Sequence, residues 1–240
     1  EISCSLVGSE MCIRDSKEAA DILEKADDFD TAVHDLIKKQ LADHRRVIFN
    51  GNGYSEDWVE EAQKRGLPNL KSMVEAIPSL TTEASIKMFE EFKVFTKAEL
   101  ESRVEIEYEA YSKAINIEAR TMIDMAGKQL IPSVVKYTSL LADSLGKIKS
   151  ACPEADTSAQ EELLIEVSAY LSDMKVALSA LNEIADKCAA IEDNKDQAVT
   201  YHDEVVPAMA ALREPADKLE MIVDKDLWPL PSYGDLIFEV

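Results

Sequence analysis

The side chains in this chain that could do chemistry are few, and their spacing does not gather them into one site. His34, His44 and His202 stand singly, none four positions from another histidine and none beside a cysteine pair, so neither a helical zinc pair nor a proton relay is spelled out. Cys152 and Cys188 are the only cysteines after residue 16, and without a CxxC pairing they read as reduced, structural thiols. Carboxylates are dense at Glu99, Glu101, Glu105, Glu107 and Glu109, and again at Glu154, Asp156, Glu161 and Glu162. A cation site needs such oxygens to converge, whereas this distribution predicts solvated helix faces. Tyr108, Tyr111, Met122 and Met125 recur at helical intervals, which suits the lining of a pocket but is the ordinary pattern of a helix core.

One segment invites a closer look. Asn50, Gly51, Asn52 and Gly53 form a turn-rich run whose uncovered backbone amides can approach a ligand or simply end a helix. No strand precedes it and no Lys-Ser/Thr pair follows, so it is not a phosphate loop of the familiar kind. No Ser/His/Asp ordering, nucleophile elbow or catalytic carboxylate pair emerges elsewhere. No catalytic, cofactor-binding or metal-ligating residue is therefore assigned, and no cofactor is expected within the segment itself.

The elements that carry these residues are helical. Ala19, Ile22, Leu23 and Ala26, then Val33, Leu36, Ile37 and Leu41, predict two amphipathic helices broken near 28–30, with Asp30 capping the second. Ser55 opens a helix through Trp58, Val59 and Ala62 that Gly66 and Pro68 stop. A short helix is expected over 69–76, and another from Thr81 or Thr82 through Phe92. Thr96 with Glu99 is a capping-box pattern that starts a longer one. From Lys97 to Ile131 there is no proline, and this stretch is expected to hold the longest helix, disturbed at Pro132. A further long segment opens at Thr157, breaks at 192–194, and is followed by a last helix that must absorb Pro207 and Pro215. Long apolar stripes on short links predict an all-α bundle of long amphipathic helices. The prolines at 229 and 231 predict an extended, Pro-rich C-terminal tail over 226–240, with Trp228, Leu230 and Phe238 docking on the body or on a surface outside the segment.

Composition narrows the partners. With 46% apolar residues the chain can build a real core, and a formal charge of −21 makes nucleic acid and anionic membranes poor partners. No run of about 18 apolar residues predicts a membrane span and no secretory leader is visible, so a cytoplasmic location is expected.

Residues 6–15, Leu6-Val7-Gly8-Ser9-Glu10-Met11-Cys12-Ile13-Arg14-Asp15, resemble codon for codon the conceptual translation of a transposase-type sequencing adapter. Residues 1–16 are therefore expected to be non-native and to make no consistent packing contacts, native sequence beginning near Ser16 or Lys17.

Three passages point further: Arg46-Val47-Ile48-Phe49-Asn50-Gly51-Asn52-Gly53-Tyr54-Ser55, then Arg65-Gly66-Leu67-Pro68-Asn69, and Asp226-Leu227-Trp228-Pro229-Leu230-Pro231-Ser232-Tyr233. Together with the Glu118-Ala119 helix and the segment Tyr201 to Met209, they resemble the C-terminal part of type III glutamine synthetases over residues 17–240. The resemblance implies an enzyme that phosphorylates glutamate's side-chain carboxylate with ATP and lets ammonia displace the phosphate, giving glutamine, ADP and phosphate, with Mg2+ neutralising the phosphates. The family's catalytic groups lie on a strand-rich core upstream, so ATP and Mg2+ are implied for the full-length enzyme only. Ring assembly as a homo-oligomer is implied too, with this segment as scaffold and subunit contact. On this basis 17–95 is the helical end of the catalytic domain, 96–225 the long-helix bundle, and 226–240 a docking tail. The alternative is a stand-alone helical bundle that binds partner helices.

Overall fold

The computed structural model describes residue 13 and residues 15–238. Its described residues are helical with no strand, and they divide into two compact units, Glu1–Glu107 and Tyr108–Val240.

In the first unit a helix over 15–23, α1, is followed by α2 (Phe29–Asp43), α3 (Glu56–Lys64), α4 (Met73–Ala76) and α5 (Glu83–Glu91). Local chemistry explains most of the boundaries. The cap of α2 is Asp28 rather than Asp30, its carboxylate accepting from Thr31 Oγ1 at 2.6 Å, because the chain turns helical two residues earlier than the aspartate pattern suggested. A reciprocal capping box joins Ser72 and Glu75 at the start of α4, and Thr82 Oγ1 accepts the Ser85 amide to open α5. The helix expected over 69–76 shortens to α4 because the Ser72 capping box fixes its start, and Pro78 sits in the 3-10 turn that follows, Ile77–Thr81. The Thr96 amide donates to Glu99 at 2.7 Å as α6 (Lys97–Met125) begins. Val74, Ala76, Ile77, Met88 and Leu100 are the buried apolar residues of this unit, and neither α2 nor α3 buries a residue fully.

The second unit holds the later part of α6, then α7 (Ile131–Ala151), α8 (Ser158–Ala189), α9 (Asn194–Thr200), α10 (Val206–Glu220) and α11 (Tyr233–Phe238). The longest helix is α8, with 32 residues against 29 for α6, a correction to the expectation that it lay before Ile131. Its length follows from a stretch free of both proline and glycine, whereas α6 passes at Ala126–Leu130 into a π turn. On α8 the buried positions Val167, Met174, Leu178, Leu181, Ala185 and Cys188 step by three, four or seven, and Val205, just before α10, lies one heptad from Leu212 and Leu212 one heptad from Leu219 on it. Such periods build a seam along which α8 packs on both α7 and α10.

Both helix-interrupting prolines follow a π turn by the same offset. Ala126–Leu130 precedes Ile131-Pro132, with the Ile131 amide on the Ala126 carbonyl; Tyr201–Val205 precedes Val206-Pro207, with the Val206 amide on the Tyr201 carbonyl. A widened turn moves the preceding carbonyls off the proline ring, so the disturbance expected at Pro132 is a register shift with the helix continuing beyond it. Pro215, buried inside α10, lacks such a turn.

The tail departs from a fully extended strap. Ser232 Oγ accepts the Asp235 amide while Asp235 accepts the Ser232 amide at 2.8 Å and its hydroxyl at 2.7 Å, which nucleates α11 just beyond Pro231. Trp228 and Leu230 pack against the core of the second unit, and Ser133 Oγ donates to the Leu227 carbonyl. Phe238, expected to dock, is 81% exposed, since α11 carries it beyond the last packed residue. The Lys225 ammonium, followed by the Ser232 hydroxyl and amide, holds the Asp235 carboxyl down at about 2.

Of the presumed adapter segment, Leu6 and Val7 lie outside the described residues, and Ile13 is 40% exposed. Asp15 departs from the expectation of no contact, pairing with His44 at 3.0 Å, because it begins the regular turns of α1.

Candidate functional site

The loop between α2 and α3 is the most organised irregular segment of the first unit. Arg65, at the end of α3, donates from Nη1 to the carbonyls of Arg46 at 3.2 Å and Ile48 at 2.8 Å, and from Nε to Glu61 at 2.7 Å. Its guanidinium lies 5.6 Å from the centre of the Trp58 ring, and Trp58 in turn stacks on Phe49 at 4.5 Å between centroids. The planar fork of arginine suits this task, because one side chain satisfies two loop carbonyls while covering an aromatic face.

The glycines serve this clamp. A Cβ on Gly51 would meet the Phe49 ring at 2.7 Å, so only glycine lets the ring fold under the loop and reach Trp58. Gly66 adopts φ +70 and closes α3, its amide bonding the Gln63 carbonyl while the Leu67 amide returns to Ala62, which sets Arg65 at the right height. Asn52 accepts the Tyr54 amide at 3.0 Å, and Ser55 Oγ donates to the Asn52 carbonyl at 2.8 Å. Tyr54 itself is fully exposed. The passages 46–55 and 65–69, separate in sequence, thus form one structure. Replacing Arg65 with methionine is expected to cost about 2 kcal/mol, since two carbonyls and a carboxylate lose a charged donor. A red shift of Trp58 emission, with far-UV circular dichroism unchanged, is the check.

The other side chains of chemical interest stay apart. His34 and His202 face their neighbours Asp35 and Asp203, His44 faces Asp15, and no histidine faces another. Cys188 is 1% exposed, and burial, helped by Glu204, pushes its thiol up, while Cys152 is exposed. Tyr108 is buried, and Tyr111 and Met122 pack beside the core, so that stripe is core. The dense carboxylates cap helices or pair along them, as Glu99 does with Thr96, Glu109 with Lys113 and Glu161 with Lys149 and Thr157. Among the described residues no three His, Cys, Asp or Glu side chains converge on a point that would hold a metal ion. Among the same residues no helix is long and apolar enough to cross a membrane. From sequence Arg65 stands only within the resembling passage 65–69 and Glu61 nowhere; their helix shows only its apolar face, and nothing local marks which polar residue will reach back to a loop.

Comparison with known proteins gives a family match that spans the first two of the three passages. Residues 32–149 match the family model described as glutamine synthetase C-terminal domain. The chain is 36% identical over 214 residues to the glutamine synthetase of Butyrivibrio fibrisolvens, covering 89% of this chain and 31% of that one. It is 35% identical to the type-3 glutamine synthetase of Dictyostelium discoideum, over 87% of this chain and 29% of that protein, and 31% identical to the glutamine synthetase of Bacteroides fragilis strain YCH46, over 90% and 30%. The chain thus spans about a third of the length of the curated relatives it matches. By these matches residues 32–149 belong to the glutamine synthetase family, as its C-terminal domain, and the chain is similar to these synthetases over about nine tenths of its length.

Proposed function

We propose that this chain is the C-terminal helical scaffold of a type III glutamine synthetase, whose catalytic core lies in polypeptide beyond these residues. The parent enzyme ligates ammonia to glutamate at the expense of ATP, giving glutamine, ADP and phosphate, and works as a cytoplasmic homo-oligomer to which this segment contributes rigidity and subunit contacts. The observation that carries the reading is the match to the synthetases, which covers about nine tenths of this chain and about a third of each relative. Phosphoryl transfer from ATP needs metal carboxylates and phosphate-holding cations around one point, and here the carboxylates are spent on caps and i,i+4 pairs.

The segment alone is therefore expected neither to make glutamine nor to bind ATP with magnesium at micromolar levels. Isothermal titration of ATP and magnesium into the chain, beside the Butyrivibrio fibrisolvens enzyme, is the test. Tight, saturable binding by the chain alone would overturn the reading and direct attention to the 50–53 loop.

A further inference from the structure

The first unit leaves one apolar helix face only partly covered. On α2, Phe29 is 59%, Ile37 53% and Leu41 56% exposed, and the three lie with Val33 on one line of steps of four, spanning roughly 18 Å at 1.5 Å per residue. Ala32, Val33 and Leu36, at steps of three and four along the same side of the helix, are half-buried, so Phe29, Ile37 and Leu41 are the uncovered part of one broad apolar face. Val47 and Ile48 continue it at 40% and 41% exposure, on the stretch that Arg65 clamps, and Tyr54 projects from the same loop. Lys38, Arg45 and Arg46, at the C-terminal end of the face, are exposed and make no ion pair among the described residues, although the chain carries a net charge of −21.

From these observations we infer that the α2 face is the seat on which the remainder of the synthetase polypeptide docks, through an apolar surface bordered by carboxylates. The inference rests on the scaffold reading above. Its direction comes from where the deficit lies: the second unit closes a core of sixteen buried residues from its own helices, whereas α2 and α3 bury none fully. The relatives are about three times as long as the stretch they share with this chain, so ample polypeptide exists to cover it. The clamped loop holds the far end of the seat rigid, which lowers the ordering cost of docking. Cations at its rim select a carboxylate-bearing surface and oppose a basic one.

The test is hydrogen exchange of residues 29–48 in two proteins: the free chain, and a hybrid in which the stretch of the Butyrivibrio fibrisolvens synthetase that aligns with this chain is replaced by it. Exchange over 29–43 is expected to slow at least about tenfold in the hybrid. The double variant Ile37→Asp, Leu41→Asp should keep the helical circular dichroism of the free chain and abolish that slowing. A hybrid that makes glutamine while 29–43 exchanges as fast as in the free chain overturns the docking inference and leaves the scaffold reading intact. A hybrid with a protected helix but no glutamine supports docking and counts against the scaffold reading. A free chain that sediments as a dimer and is split by Ile37→Asp makes a second copy the occupant, which also overturns it. Should the hybrid not accumulate, the intact relative and its aligned stretch alone give the same comparison: protection of the matching helix only in the intact enzyme supports the seat, and equal exchange refutes it.

Discussion

Leu181→Ala should lower the stability of the second unit by about 3 kcal/mol, while Ile165→Ala on the same helix changes it by less than about 0.5 kcal/mol. Both are large aliphatic residues on α8, and local propensity does not separate them. Leu181 is fully buried on the seam that faces α7 and α10, so truncation removes its apolar contacts and leaves a cavity in the core of the second unit. Ile165 is 70% exposed and loses little. Urea titrations followed by circular dichroism measure the pair directly; equal costs would mean that the seam is misassigned. Cys188, on the same seam, is expected to stay unmodified by thiol reagents until the unit opens, because the thiolate form is disfavoured where burial pushes the thiol up.

Deleting Gln129 should be the more damaging change, costing about 3 kcal/mol or more, even though its side chain is exposed and Gln129→Ala is expected to be neutral within about 0.5 kcal/mol. The residue lies in the π turn Ala126–Leu130, where the Ile131 amide reaches back five positions to Ala126. Removing one residue restores the ordinary helical count and brings a carbonyl of the preceding turn against the Pro132 ring. It also rotates Val134, Tyr137 and Leu141 away from α8 by about 100°, the angle of one residue in a helix. Thermal unfolding of the deletion beside Gln129→Ala separates the backbone effect from the side-chain effect. The same reasoning applies at Tyr201–Val205, where Pro207 follows at the same offset.

Much of this molecule was written locally. Capping pairs such as Thr96 with Glu99, the stop at Gly66, the start at Ser55 and the apolar periods of α6 and α8 are short-range effects, each set by groups within a turn of one another, so the all-α class and most helix positions could be read directly. The family resemblance likewise rests on short passages, and the comparisons support it. What tertiary structure alone decided involves residues distant in sequence. Periodicity placed Ile37 and Leu41 in an apolar stripe but not, with Phe29, on the exposed part of α2, because a stripe names a face without naming its neighbour. That Arg65 would thread its guanidinium between Trp58 and the carbonyls of Arg46 and Ile48, and that Gly51 is needed for Phe49 to lie beneath, depends on two helix ends meeting in space. Proline spacing forecast a disturbance before α7, yet only packing on α8 selected a π turn over a kink, since the widened turn alone keeps Ala126, Leu130 and Val134 all in one core.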